Sequence, residues 1–333
     1  MSTERDAALP RVVVVGCGRW GRNHVRNYAE LGALAGVVDA DPALAGEQAA
    51  RFGVPSLSFE QALGDPGITG LAFALPPSQN LPLGQRAIEA GKHLFVEKPL
   101  ALSVADGERL CAVAERHGRV LMVGHILQYH PAFVELTRLV RDGRLGRVMS
   151  IVSTRLDLGA IRREEDALWA LAPHDISMVL ALLRAEPVRV DAFGGYHTHR
   201  AIADTTTVAL TFESGASAEI RSSWLHPYKE QRLVVAGSEA MAVFDDREPW
   251  ERKLVVYPYR ITETGGTALI ERAEPAPVAL EPGEPLRLEC RQFLHSISSG
   301  AAPLSDGREG LRVLRVLEAA SAALRSGHQA IRL

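Results

Sequence analysis

A run of four valines, Val12 to Val15, passes directly into Gly16-Cys17-Gly18-Arg19-Trp20-Gly21, and no other stretch constrains the fold as much. β-branched side chains suit a pleated strand, and a strand without polar alternation buries both faces, as inner strands of parallel sheets do. The G-x-G-x-x-G turn then opens a helical pattern from Asn23 to Leu31. In such a turn the first glycine permits the bend, the second lets backbone approach a pyrophosphate, and the third lets helix and strand pack closely. Gly16, Gly18 and Gly21 hold those places, with Arg19 and Trp20 inside the turn. The helix N-terminus adds N–H groups and partial positive charge for a phosphate. A second strand, Leu34 to Val38, ends at Asp39, 18 residues beyond Gly21. A carboxylate there accepts both hydroxyls of an adenosine ribose and repels a 2′-phosphate. The joint pattern predicts a dinucleotide site for NAD, with NADP disfavoured; a glycine-rich turn beside an incidental aspartate is the minor alternative.

The alternation continues down the chain. Helices are expected at 42–52, 58–63, 78–90 and 103–117, and strands at 70–75, 93–96 and 120–123. This is the pattern of an α/β Rossmann domain, a doubly wound parallel sheet, over residues 1–124. Beyond it the pattern changes to helices at 130–141 and 173–183, the second with Pro173 in its first turn, and strands at 147–155, 188–194, 205–212, 216–224, 231–236 and 241–244. Residues 125–333 are expected to form an α+β substrate-binding and oligomerisation domain. Its large, mainly antiparallel sheet reads as a meander with one face against helices. The Pro/Gly/Glu-rich stretch 261–285 reads as a long loop, and helices at 286–298 and 307–324 close the chain. Apolar residues on the second sheet face predict a homodimer or homotetramer.

With 333 residues there is room for two cores, and a net charge of −3 gives no electrostatic reason to expect nucleic acid or a membrane surface. Three separated cysteines, Cys17, Cys111 and Cys290, fit neither a disulfide framework nor a zinc site, and no histidine spacing suggests another metal. No apolar run approaches the ~18 residues of a membrane span, and residues 1–10 lack a signal-peptide core; the expected location is the cytoplasm.

Five stretches resemble one family, named for glucose–fructose oxidoreductase, inositol dehydrogenase and MocA (Gfo/Idh/MocA): GCGRWGRN at Gly16 to Asn23, ALPPSQN at Ala74 to Asn80, AGKHLFVEKPLA at Ala90 to Ala101, VGHILQYHPAF at Val123 to Phe133, and APHDIS at Ala172 to Ser177. Glu97-Lys98-Pro99 is the most specific element. LWALAPHDIS, KEQRLVVAGSEAMAVFDDREPW and LRLECRQFL resemble a subgroup of nucleotide-sugar and polysaccharide biosynthesis, whose relatives oxidise UDP-N-acetylglucosaminuronate at C3. The resemblance implies that Glu97 binds the nicotinamide ribose, that Lys98 points at the reacting oxygen as a catalytic and substrate- and cofactor-contacting group, and that Pro99 is cis. It adds Pro76, Pro77, Asn80 and Gln128 to the cofactor contacts and Tyr129 to the substrate contacts, with His125 and His130 beside them.

His174 matches the family histidine that opens the helix after the first strand of the second domain and is expected as a catalytic and substrate-contacting residue, but the aspartate that many relatives carry four residues earlier is Ala170 here. Asp175 cannot share a helix face with His174, and the favoured reading is a first-turn carboxylate complementing the helix dipole. Arg162 and Arg163 suit a substrate carboxylate or diphosphate, or form a solvated charge cluster. The implied activity is NAD(P)-dependent oxidation of a CH–OH group on a sugar, first of all a nucleotide sugar. The alternatives are a dehydrogenase or ketoreductase of a free sugar or cyclitol, and a non-catalytic dinucleotide-binding regulator.

Overall fold

The structure is a computed structural model that describes residues 9–159, 161–162, 165–264, 266–327 and 329–333. The chain divides into two compact units, one formed by Met1–Ile126 and Glu284–Leu314, the other by Leu127–Gly283 and Arg315–Leu333.

The first unit begins with β1 (Val12–Val15), α1 (Gly21–Glu30), β2 (Leu34–Val38), α2 (Pro42–Phe52), α3 (Phe59–Gly64), β3 (Gly70–Phe73), α4 (Asn80–Glu89), β4 (His93–Val96), α5 (Val104–His117) and β5 (Leu121–Val123). The strands lie in the order β2-β1-β3-β4-β5, all parallel. Beyond β2, Val37 forms an isolated parallel bridge with Ser56. The four valines of β1 are buried on both faces, as their lack of alternation implies. Helices α2, α3 and α5 start where capping residues stand. Asp41 accepts from Ala43 N–H, Ser58 and Gln61 form a capping box, and Ser103 accepts from Asp106 N–H.

The second unit holds α6 (Pro131–Arg141), β6 (Val148–Leu156), α7 (Ala167–Leu183), β7 (Pro187–Gly195), β8 (Thr205–Phe212), β9 (Ser217–Ser223), β10 (Glu230–Gly237), β11 (Ala240–Asp245), β12 (Leu254–Thr264), β13 (Thr267–Arg272) and β14 (Ala276–Pro277). The chain then returns to the first unit with α8 (Pro285–Ser299), and α9 (Gly307–Arg325) and β15 (Ile331–Arg332) follow. The large sheet has the order β13-β12-β11-β10-β6-β9-β8-β7-β15, with β14 beside β12. Helix α7 packs on β6, β8 and β9, and α6 on β11.

Four expectations are corrected. The single meander is two meanders, β7–β9 and β10–β13, flanking β6, which pairs antiparallel with β10 and parallel with β9. Alternation along a strand reveals its buried face but not its neighbour, so this insertion left no local trace. Helix α7 begins at Ala167, so Pro173 is in its interior rather than its first turn; Asp166 is the cap and accepts from Trp169 N–H. The expected loop at 261–285 contains the end of β12, the hairpin to β13, closed by the Thr264–Thr267 pair around Gly266 at φ +77°, and β14. Every side chain of β13 is exposed, and a strand with no buried face carries no apolar period to read. Finally, the division at residue 124 misses the return of 284–314. Phe293 packs against Phe95 with ring centroids 6.0 Å apart, and a Cβ at Gly70 would lie 3.1–3.2 Å from Ile297 and Phe293.

Candidate active site

The glycine turn is built as its spacing requires. Gly16 has φ +95°, and a Cβ on it would come within 2.5 Å of the Ala74 carbonyl oxygen. A Cβ on Gly21 would lie 1.8 Å from the Gly16 carbonyl oxygen, so α1 can start here only without a side chain. At Gly18 a Cβ would meet nothing within 4 Å, which leaves the backbone open on the side where a pyrophosphate would approach. Helix α1 has no acidic residue in its first turn and no side-chain cap. Arg19 is exposed in the turn, Pro76 is exposed beyond β3 and Pro77 half-buried. Asp39 is fixed by two backbone donors, Cys17 N–H to Oδ2 at 2.5 Å and Asp41 N–H to Oδ1 at 2.8 Å. Burial, reinforced by this carboxylate, pushes the Cys17 thiol up to about 11. A dinucleotide fits these residues: an open backbone cradle, a helix N-terminus without competing acid, and a preset carboxylate at the end of β2.

At the carboxyl end of β4, Glu97 is held from several directions. Its Oε1 accepts from the indole N–H of Trp20 and lies 2.7 Å from His24 Nε2, and its Oε2 accepts from Lys98 N–H at 3.3 Å. Lys98 is half-buried, and the Lys98–Pro99 bond is cis as expected. Asn80 is buried and donates to the carbonyl oxygens of Pro99 and Leu100, both at 3.2 Å, so it ties down the turn that carries Lys98. Behind Glu97 lie groups whose role was not foreseen from sequence. His24 is fully buried, and its Nδ1 is 3.9 Å from Cys290 Sγ on α8. Glu289, also fully buried, has both carboxyl oxygens without a hydrogen-bond partner; burial, then the charge of Glu97, pushes it well above the usual carboxylate range. On α1, His24 and Tyr28 fall among apolar positions and read as core. His125, past β5, is buried with Nδ1 2.5 Å from Glu309 Oε2.

The second unit brings its own set together. Ala170, His174 and Ser177 are spaced by four and three residues in α7 and share a face. Gln128, buried like its neighbour Tyr129, donates to Ser177 Oγ at 2.7 Å and so reaches the face that carries His174. Asp175 is not a first-turn carboxylate. It is buried, accepts from Ser153 Oγ at 2.7 Å, and takes Arg155 Nε at 2.7 Å and Nη2 at 3.2 Å on its two oxygens. This bidentate pair pins α7 to β6 beside His174. His130 is the cap of α6, accepting from Ala132 N–H at 3.1 Å, with Nε2 3.2 Å from Asp246 Oδ1. Arg162 is exposed and pairs with Glu165, and Arg163 lies outside the described residues. Among the described residues no group of three His, Cys, Asp or Glu could hold a metal ion, and no helix is long and apolar enough to cross a membrane.

Residues 10–125 match an oxidoreductase family with an NAD-binding Rossmann fold, and residues 133–243 match the Gfo/Idh/MocA C-terminal domain. UDP-N-acetylglucosamine 3-dehydrogenase of Acidithiobacillus ferrooxidans is 28% identical over 307 residues, covering 91% of this chain and 94% of the relative. Its solved structure superposes with a TM-score of 0.83 at 27% identity over 95% of this chain and 97% of that one. Inositol 2-dehydrogenase of Rhizobium meliloti is 27% identical, covering 93% and 95%. The structure of aldose-aldose oxidoreductase from Caulobacter crescentus gives a TM-score of 0.82 at 25% identity, covering 98% of this chain and 100% of that one. With both domain matches in place, and with the glycine turn, Asp39 and the Glu97-Lys98-cis-Pro99 element built as described, the chain belongs to the Gfo/Idh/MocA family of NAD(P)-dependent oxidoreductases acting on CH–OH groups.

Proposed function

We propose that the protein oxidises a secondary alcohol of a sugar, or reduces the matching ketone, with NAD as preferred cofactor. The substrate proposed is a nucleotide sugar of the UDP-N-acetylglucosamine or UDP-N-acetylglucosaminuronate type, reacting at C3. The observation that carries the reading is Glu97, fixed by Trp20, His24 and its neighbour's N–H, directly before Lys98 at a strand's carboxyl end. Open α/β sheets bind ligands beyond that end. The near full-length likeness to a UDP-N-acetylglucosamine 3-dehydrogenase supports the substrate class. The equal reach of the inositol dehydrogenase likeness supports a cyclitol as second reading.

In this proposal the Gly16–Gly21 turn takes the pyrophosphate, with Arg19 at its rim. Asp39 takes the adenosine ribose and Glu97 the nicotinamide ribose, while Trp20, Pro76, Pro77 and Gln128 border the cofactor. When bound, the nicotinamide supplies the two-electron exchange. Tyr129, Arg162 and Arg163 contact substrate. The hydroxyl proton must leave at about the same time as the C–H bond breaks. A lysine near ~10.4 is charged at neutral pH, and bringing it to ~7–8 requires roughly 3–4 kcal/mol. An imidazole titrating near ~6.5 needs almost none. His174 is therefore assigned as the base, and Lys98 as the cation that positions the substrate oxygen. His174→Ala should lower kcat by about 10²-fold or more and remove the acidic limb of the pH–rate profile. Lys98→Met should lower activity and leave that limb. Retention of both rate and profile in His174→Ala would reverse the two roles.

A further inference from the structure

We propose that Cys290, His24 and Glu97 form a hydrogen-bond chain through which α8 positions the carboxylate that takes the nicotinamide ribose, with His24 as the positioning residue. The inference rests on the role of Glu97 proposed above. His24 Nε2 lies 2.7 Å from Glu97 Oε1, and an ionised carboxylate only accepts, so Nε2 carries the hydrogen. In the neutral ring that leaves Nδ1 as an acceptor, and the group 3.9 Å from it is Cys290 Sγ. Burial, and then the neighbouring Glu289, pushes the Cys290 thiol well up, so it keeps its proton and can donate. The hydrogens thus run in one direction, from Sγ to Nδ1 and from Nε2 to Oε1.

The ring has little freedom to leave this line. Phe95 is tilted against it at 5.0 Å; Tyr28, on the same helix, is stacked at 6.3 Å, and Trp20, in the turn before that helix, lies edge-on at 6.3 Å. The ionisable groups around it are Glu97 just past β4, Cys290 and Glu289 on α8, and Tyr28 on α1. Both the His24 and Trp20 contacts fall on Oε1, while Oε2 holds the Lys98 N–H. A carboxylate has about four lone-pair sites, so the acceptor capacity that remains is on Oε2. On that side a Cβ at Gly124 would lie 2.9 Å from Oε2, so the backbone there walls the carboxylate. Without the His24 donor, Oε1 loses its inner anchor and the aim of Oε2 is no longer set. Groups that orient a contact residue in this way typically change affinity by about 10–100-fold when removed.

Calorimetric titration with NAD and with ADP separates positioning from folding. ADP carries the adenosine ribose and pyrophosphate but no nicotinamide ribose, so it reports Asp39 and the glycine turn alone. His24→Leu should weaken NAD binding about tenfold and leave ADP within about twofold. His24→Gln, which retains a donor near the Nε2 position, should recover most of the loss, and Cys290→Ala should give a smaller loss confined to NAD. In a Glu97→Gln background, His24→Leu should add nothing, because the two act through one contact. Unchanged NAD affinity in His24→Leu, equal loss for NAD and ADP, or full additivity with Glu97→Gln would each overturn the chain. If Glu97→Gln itself binds NAD like the parent, the role of Glu97 fails and the positioning role falls with it.

Discussion

Asp39 shows how a single side chain can be prepared for a ligand by its own backbone. Two N–H groups hold its oxygens at 2.5 and 2.8 Å, one of them from inside the glycine turn, so its orientation comes with the turn. The residues that follow, Ala40, Asp41 and Pro42, offer no cation to a 2′-phosphate, and Arg22 is engaged with Glu47 at 3.0 Å. Like charges about 4 Å apart repel by about 1–4 kcal/mol between water and a surface-like dielectric, enough for a selectivity of at least about fivefold. Titration should therefore show tighter NAD than NADP, and Asp39→Ser should weaken NAD and collapse the ratio. Equal or tighter NADP binding by the parent would remove Asp39 from this role. The residues legible in sequence at this scale, Gly16, Asp39, Glu97 and Lys98, belong to short motifs. His24 was not legible, because its partners Glu97 and Cys290 are 73 and 266 positions away and only the fold supplies them.

Between elements, an ionic tie in the second unit joins the start of α6 to the segment after β11. Asp246 faces His130 Nε2 at 3.2 Å and Lys253 Nζ at 2.9 Å, and His130 stacks on Trp250 at 5.3 Å. Burial alone would raise the Asp246 carboxyl, but His130 and Lys253 outweigh it and bring the group to about 2. A depressed carboxyl contributes stability that is complete above its unfolded value near ~3.9 and is lost as pH falls through the folded value. Asp246→Asn should cost about 2 kcal/mol at pH 7 and flatten the acid dependence of denaturant midpoints between about pH 4 and 2. An unchanged slope would show that the tie carries no linkage. Element boundaries were legible where a cap stands alone, as at Ser58 and Ser103. They were misjudged at α7, where Pro173 resembled a helix start and the true cap, Asp166, lies seven residues earlier. Proline is common at first turns, yet an interior proline is tolerated when the surrounding helix is packed, as α7 is on β6, β8 and β9.

The whole molecule poses the question of what meets the far face of the large sheet. Val152, Val234, Val243 and Val255 form one cross-strand row over β6, β10, β11 and β12, and Met241 and Tyr257 pair in the next, each 39% exposed. We propose that this face joins copies of the chain as a homodimer or homotetramer. Sedimentation at micromolar concentration should show that assembly and Val152→Glu should weaken it; a monomeric parent would refute it. The return of α8 to the first unit has a different consequence, one for synthesis. A ribosome releases residues 1–126 while the helix that covers Gly70 and Phe95 with Phe293 is still untranslated, because roughly 160 further residues precede it. At about 5–20 residues per second that is on the order of 10–30 s. For that interval the nascent dinucleotide sheet carries an uncovered aromatic flank, and the order in which the chain is made is not the order in which its first unit can close.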